Sequence, residues 1–192
     1  SSTSLNMKEG TSLLVSRELD FNFDGEEVID AVFISHFDRE HMNGLEELLR
    51  KHPVRKLFLP KLGREDMALM SLKIRFEFSN ESSGFVQMLV SHPLDLVFEN
   101  KYDIGQVVLV EALGGMETDV RRNVLEFNRV PENIPSGTLI QCSLGTELVL
   151  WEFLLVNFRE ENRIQRLKRE FHKKKLPLPK DAGDASRLWD SR

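Results

Sequence analysis

Apolar positions in the first third of the chain follow a strand, helix, strand order. Residues 31–35 form a mostly apolar run that predicts a buried strand. Residues 40–52 place three leucines at helical spacing and end before a proline, which predicts a helix. Residues 54–59 are again apolar and β-prone, and a second proline follows them. This alternation predicts a layered α/β domain.

The rest of the chain continues the mixture of short strands and helices. Helical spacing predicts helices over residues 61–72, 117–128 and 159–175. Alternating or continuous apolar runs predict strands over residues 11–15, 73–78, 85–90, 94–98, 106–111, 138–143 and 147–156. Polar or turn-rich connections are predicted over residues 17–29, 80–84, 131–137 and 176–192.

Length and composition indicate a single globular domain with an appended segment. The chain has 192 residues and an ordinary apolar fraction of 41%, which suffices for a proper core. We expect a domain core over residues 1–157, a basic amphipathic helix packed on it over 158–175, and a loop or tail over 176–192.

The single cysteine and the charge narrow the class of protein. Cys142 is the single cysteine, so no internal disulfide can form, which fits a reducing interior such as the cytoplasm. It lies in an apolar stretch and is expected to be a buried small hydrophobe. No secretory pattern opens the chain, and no apolar run reaches membrane-spanning length. The net charge of −5 argues against a generally basic nucleic-acid binder. A nuclease remains compatible with it, because metal ions can supply positive charge at a phosphate.

Four potential metal ligands follow the predicted strand at 31–35 within six positions. They are His36, Asp38, Glu40 and His41. Alternate side chains of an extended or turning segment point the same way, so the first three are expected to converge, with His41 beside them. Imidazole and carboxylate ligands suit zinc, manganese or ferrous iron. The alternative is a solvated charged turn, since acids are favoured at a helix start by the dipole.

The segment His-Phe-Asp-Arg-Glu-His-Met-Asn-Gly resembles the metal-binding signature of the metallo-β-lactamase superfamily. The resemblance covers roughly residues 10–60 and is greatest to the branch with Asp in the second position. That branch includes nuclease-like domains of DNA-uptake proteins and metallohydrolase effectors of bacterial antiviral defence. It implies an αββα sandwich, here incomplete or truncated, and a metal-dependent hydrolase.

The resemblance also implies roles for the four residues. His36 and Asp38 take the first-metal positions, and Glu40 and His41 take the second-metal positions. Together they would hold two Zn²⁺ ions, or alternatively Mn²⁺. Asp38 and Glu40 would act as catalytic residues that orient the attacking water. Glu40 departs from the Asp that the family carries there.

Two later residues correspond to further ligands of the family. His92 follows the apolar run at 85–90, and the alternative is that it merely ends a strand beside Pro93. Asp184 stands in a Gly-Asp-Ala segment that resembles the one carrying the ligand that bridges the two metals. No histidine follows position 172, although the family has a last histidine ligand. Either the chain is a fragment or the site is degenerate.

A basic segment occupies residues 159–175, with eight Lys or Arg against three Glu. Ile164, Leu167 and Phe171 form one helical stripe in it. One interpretation is a contact to a nucleic-acid backbone. The other is a packed surface helix with a solvated basic face. The predicted nucleic-acid-binding residues are Arg163, Arg166, Lys168, Arg169, Lys173 and Lys174.

Taken together, these features predict a cytoplasmic phosphodiesterase or nuclease that uses metal-activated water, with nucleic acid as substrate and no membrane contact. By resemblance it would be an effector in bacterial antiviral defence. The first alternative is a non-catalytic interaction or regulatory module with protein partners in a larger complex. The second alternative is hydrolysis of a thioester, lactone or β-lactam. The resemblance disfavours this activity, because family members that perform it typically carry His at the position of Asp38.

Overall fold

A computed structural model describes seven parts of the chain: residues 27–42, 44–77, 80–113, 123–144, 148–157, 161–175 and 178–180. The predicted strand at 11–15 and most of the predicted tail, including Asp184, lie outside the described residues.

Seven strands and five α-helices are present in the described residues. The strands are β1 (Ile29–Phe33), β2 (Val54–Pro60), β3 (Ile104–Val110), β4 (Val124–Glu126), β5 (Asn133–Ile134), β6 (Thr138–Leu144) and β7 (Leu148–Leu155). The α-helices are α1 (Arg39–Met42), α2 (Leu45–Lys51), α3 (Arg64–Glu77), α4 (Asn80–Ser91) and α5 (Glu161–Lys173). Two 3₁₀ helices span Pro93–Phe98 and Phe127–Arg129.

The first sheet has the strand order β1-β2-β3-β5, and all of its pairings are parallel. Val32 lies beside Leu57, which in turn lies beside Val107. Parallel neighbours require crossover connections, and α2, α3 and α4 supply them. The carboxyl ends of the strands therefore meet at one edge of the sheet, which we call the carboxyl edge.

Helices cover one face of this sheet. Leu57 and Leu59 of β2 point to that face and join a buried cluster with Leu49 of α2, Ile74 of α3 and Leu89 of α4. All five side chains are at most 1% exposed. Burial of this apolar surface is the main favourable term for the crossover units.

The second sheet covers the opposite face of the first. Its order is β4-β6-β7, with β4 parallel to β6 and β6 antiparallel to β7. Phe33 stacks on Phe58 with ring centroids 4.7 Å apart and contacts Phe153 of β7 at 4.8 Å. The described chain is thus a mixed α/β fold with helices, a parallel sheet and a second sheet in successive layers, which confirms the predicted fold class at this level.

The second sheet leaves apolar side chains in solvent. The described large apolar residues of β4 and β7 that are more than half exposed are Val124, Leu148, Leu150, Trp151 and Leu154. Cys142 is half-buried on the inner side, where burial raises the pKa of its thiol. The expectation of a small hydrophobe therefore holds only in part. Among the described helices, none combines the length and apolar composition that crossing a bilayer requires.

Several predicted elements are confirmed. Strands β2, β3, β6 and β7 lie within a residue or two of their predicted positions. β1 begins and ends two residues earlier than predicted. Helix α5 occupies most of the predicted basic helix.

The predictions over residues 73–98 are mostly wrong. The predicted strand at 73–78 belongs to α3 as far as Glu77, and the loop at 80–84 and the strand at 85–90 both belong to α4. The predicted strand at 94–98 is a 3₁₀ helix. A short apolar run bounded by polar residues suits either a buried strand or a buried helix. In α4 the buried residues recur at helical spacing, at positions 85, 86, 89 and 90.

Two further predictions need correction. The single helix predicted over 40–52 is two helices, because Gly44 adopts a left-handed conformation with φ of 86°, which L side chains rarely adopt. The predicted helix at 117–128 is β4 and the start of a 3₁₀ helix where it is described, and the loop at 131–137 contains β5.

Gly105 of β3 lies close to the backbone of β2. A Cβ atom there would lie 2.9 Å from the carbonyl oxygen of Arg55. We predict that Gly105→Ala lowers the free energy of unfolding by about 1–3 kcal/mol, because the strands must move apart. Urea denaturation measures it. The matched control is Gly84→Ala in α4, where nothing lies within 4 Å and a gain of about 0.5–1 kcal/mol is expected. Equal stability of Gly105→Ala and the wild type would contradict this account of the close approach.

Candidate metal centre

The candidate site begins where β1 leaves the first sheet. The amide of Ile34 donates to the carbonyl of Phe58 at 3.0 Å, which continues the pairing one residue beyond the strand. Phe37 is then buried to 1% exposure, while the side chains of His36 and Asp38 on either side of it are about half exposed (46% and 48%). Because alternate side chains of an extended segment point the same way, burying Phe37 turns both neighbours to the opposite side.

The structure brings His36 and Asp38 together. His36 Nε2 lies 3.7 Å from Asp38 Oδ2, too far for a hydrogen bond. A tetrahedral Zn²⁺ with bonds of about 2.1 Å separates its ligand atoms by about 3.4 Å. The two side chains therefore have a spacing that fits two ligands of one cation, and their chemistry suits zinc or manganese.

Ser35 orients the imidazole. Its Oγ lies 2.7 Å from His36 Nδ1. In the tautomer that protonates Nδ1, the ring donates to Ser35 and Nε2 keeps the lone pair that a metal requires. A small hydroxyl residue before the motif thus acts as an orienting group that the ligand pattern alone did not identify.

Lys73 also reaches the site, which the sequence did not predict. Helix α3 brings its ammonium group to Asp38 Oδ1, where it donates a hydrogen bond. The Asp38 carboxylate therefore lies between an imidazole on one oxygen and an ammonium on the other. The contact could not be foreseen from the predicted strand at 73–78, because Lys73 lies on helix α3 instead.

The other predicted ligands are Glu40, His41, His92 and Asp184, and among them only His92 is described with its side chain. Glu40 and His41 lie in α1, and their side chains are outside what the structure describes. His92 follows α4 instead of ending a strand, and it stands exposed at the start of the 3₁₀ helix Pro93–Phe98. No group of three or more His, Cys, Asp or Glu able to hold a metal occurs among the described residues.

His92 lines a cavity of about 300 Å³ beside the carboxyl edge. Pro60 and Leu109 contribute from the ends of β2 and β3, and Met67 contributes from α3. The lining is mostly apolar. His92 therefore lines a cavity to which His36 and Asp38 do not contribute, although all three residues lie at the carboxyl edge.

Asn157 ties the second sheet to the carboxyl edge. Its side-chain amide donates to the carbonyl oxygens of Val110 at 2.8 Å and Lys61 at 3.3 Å. Its backbone amide donates to Ser136 Oγ at 2.8 Å, and its carbonyl accepts from Leu113 at 2.9 Å. A single residue beyond the end of β7 thus donates hydrogen bonds to backbone carbonyls at the ends of β2 and β3. The sequence pattern carries no signal for this role, since Asn157 simply follows the predicted strand at 147–156.

Helix α5 carries the predicted basic surface. Arg166, Arg169 and Lys174 have exposed side chains, whereas Lys168 bonds to Glu65 of α3 at 2.6 Å. Lys173 is exposed and pairs with Glu170 at 2.8 Å, and this pairing lowers the pKa of the Glu170 carboxyl. The side chain of Arg163 lies outside the description.

Comparisons of the chain with protein-family models, with curated proteins and with solved structures found no match. The metallo-β-lactamase resemblance stays a prediction that rests on the segment from His36 to Gly44.

We predict that Asn157→Ala lowers the free energy of unfolding by about 0.5–1.5 kcal/mol, because the Val110 carbonyl oxygen loses a side-chain donor while the Lys61 backbone amide still donates to it. Denaturant unfolding followed by circular dichroism measures the change. Asn128→Ala is the matched control, since Asn128 is exposed and a surface change of this kind stays within about 0.5 kcal/mol. A loss no larger than the control's would show that Asn157 is not a tie between the sheets.

Proposed function

We propose that this chain is a metal-dependent hydrolase of the metallo-β-lactamase type, acting on phosphodiester bonds of nucleic acid. The observation that carries the proposal is the His36–Asp38 pair at the carboxyl edge, 3.7 Å apart on a turn anchored by Phe37. Ligands in open parallel sheets bind at this edge. The layering of helices, parallel sheet and second sheet supports an αββα sandwich as the underlying architecture.

Each proposed site residue has a distinct task. His36 and Asp38 hold the first cation, and Ser35 keeps the His36 ring in place. Glu40 and His41, on the short helix α1, are proposed as ligands of a second cation. Asp38 and Glu40 accept hydrogen bonds from the attacking water and so orient it. When bound, Zn²⁺ or Mn²⁺ would lower the pKa of that water and neutralise charge on a phosphate oxygen. His92 and Asp184 remain proposed later ligands.

The substrate class rests on α5. Residues 161–175 carry seven Lys or Arg and two Glu, although the chain as a whole has a net charge of −5. Exposed guanidinium and ammonium groups bind phosphate with strong salt dependence. We propose that this helix contacts the nucleic-acid backbone outside the reacting bond. The proposed cytoplasmic location and the role in antiviral defence rest on the resemblance and on the single cysteine.

One observation favours a second function. The ammonium of Lys73 neutralises part of the charge of Asp38. A metallo-β-lactamase-like domain in which this pair is permanent would be a non-catalytic interaction or regulatory module, with protein partners in a larger complex. Metal content distinguishes the two proposals directly.

We predict that purified wild-type protein contains near-stoichiometric Zn or Mn and cleaves labelled DNA oligonucleotides. His36→Ala should lose most of its bound metal and most of its cleavage activity, because the imidazole of His36 and the carboxylate of Asp38 must bind the cation together. Elemental analysis and gel-based cleavage measure the two properties. His172→Ala is the control, an exposed histidine on α5 that should keep its metal content. A folded, metal-free wild type would favour the non-catalytic module, and full cleavage by His36→Ala would exclude the proposed site.

For α5 we predict that the double variant Arg166→Gln, Arg169→Gln binds a DNA duplex more weakly at every sequence tested. The slope of log affinity against log salt should fall by about 1.8, because two phosphate contacts are lost. Fluorescence anisotropy at several salt concentrations gives the slope. The double variant Arg55→Gln, Arg129→Gln is the charge-matched control, because both arginines are exposed and lie outside α5. An unchanged slope in the double variant would remove α5 from the interface.

A further inference from the structure

We propose that Lys73 is an internal competitor for the cation at Asp38, so that the chain itself sets how tightly the site binds metal. The inference rests on the proposed metal site at His36 and Asp38. It adds a residue from helix α3, 35 positions along the chain from Asp38, that acts against occupancy of the site.

The two oxygens of Asp38 carry the argument. Oδ1 accepts a hydrogen bond from the Lys73 ammonium, while Oδ2 faces the imidazole of His36 at 3.7 Å. A divalent cation between His36 and Asp38 would share one carboxylate with a group of the same sign. Like charges at such short range repel even in a partly hydrated place. Metal binding must therefore either displace Lys73 or proceed against its field.

Only the lysine side chain needs to move for displacement. Helix α3 is fixed beside it, because Ile74 is fully buried and Ser71 is hydrogen-bonded on both sides. Ser71 Oγ donates to the carbonyl of Met67 and accepts from Gln87 of α4, both at 2.8 Å. The Lys73 side chain itself is 33% exposed, so water can receive the displaced ammonium.

The competition also favours some cations over others. A cation must gain enough from imidazole and carboxylate together to overcome the ion pair that it disturbs. Zn²⁺ binds such mixed nitrogen and oxygen ligands tightly, whereas Mg²⁺ prefers oxygen ligands and keeps its waters. Lys73 therefore raises the binding free energy that a cation needs to occupy the site, which excludes weakly bound cations.

Calorimetric titration of metal-free protein with Zn²⁺ tests the inference. Lys73→Gln should bind Zn²⁺ tighter on the order of fivefold, the size expected for removing a half-exposed ion pair. Lys73→Arg keeps the charge and should bind like the wild type. Lys61→Gln is the matched control, because Lys61 follows β2 and pairs with Glu111 at 2.9 Å instead of Asp38. The affinity of Lys61→Gln for Zn²⁺ should equal that of the wild type.

A second readout is thermal stability with and without Zn²⁺. The metal-free Lys73→Gln protein should melt at a lower temperature than the wild type, because Asp38 loses its ion pair with the Lys73 ammonium. Zn²⁺ should then raise its melting temperature by more than it raises that of the wild type, because at equal concentration a ligand that binds the folded state more tightly stabilises it more. A purely structural Lys73 would give the first effect without the second.

The outcomes separate the inference from the proposed function. If the wild type binds Zn²⁺ and Lys73→Gln binds it tighter, both stand. If only Lys73→Gln binds, Lys73 is the competitor and the natural chain is the non-catalytic module. If both bind equally, the competitor role is overturned and the hydrolase proposal stands. If neither binds, both are overturned.

Discussion

The parallel alignment of β1, β2 and β3 is the constraint on which the rest of the structure depends. Hydrogen bonding in register brings the end of each strand to the same edge, so the turn after β1 emerges beside the loops that follow β2 and β3. Parallel pairing also obliges the chain to return over one face of the sheet. Helix α3 lies on such a return, and this is why Lys73 reaches Asp38. Site and scaffold thus follow from one pairing pattern.

Burial on both faces explains the character of the central strands. In β2, Leu57 and Leu59 pack under the helices, while Phe58 packs against the second sheet. A strand covered on both sides reads as a continuous apolar run and not as an alternation. Two residues of β2 depart from this run, the exposed Arg55 and the buried Lys56. The Lys56 ammonium donates to Gln106 and lies 5.4 Å from the ring centroid of Phe127, and burial lowers the pKa of Lys56.

The sequence pattern predicted most strands and the turn that carries His36 and Asp38, but it did not predict the contacts between segments distant in sequence. The strands with long apolar runs were predicted because prolines or polar turns end them, and the convergence of His36 and Asp38 followed from alternation around Phe37. Helix α4 was mistaken for a loop and a strand, since a short buried helix and a buried strand are equally apolar. The contacts made by Lys73 and Asn157 span 35 and 47 positions, and no periodicity in the sequence encodes them.

The last strand of the second sheet has a consequence for how the protein behaves outside its native state. β7 is eight residues long and stands at the end of the order β4-β6-β7, so within the described chain one of its edges meets no neighbouring strand. An apolar edge of this length templates pairing with any extended polypeptide, which makes it a nucleus for aggregation during refolding. Glu152, the one charged residue within β7, acts there as a gatekeeper against such self-association.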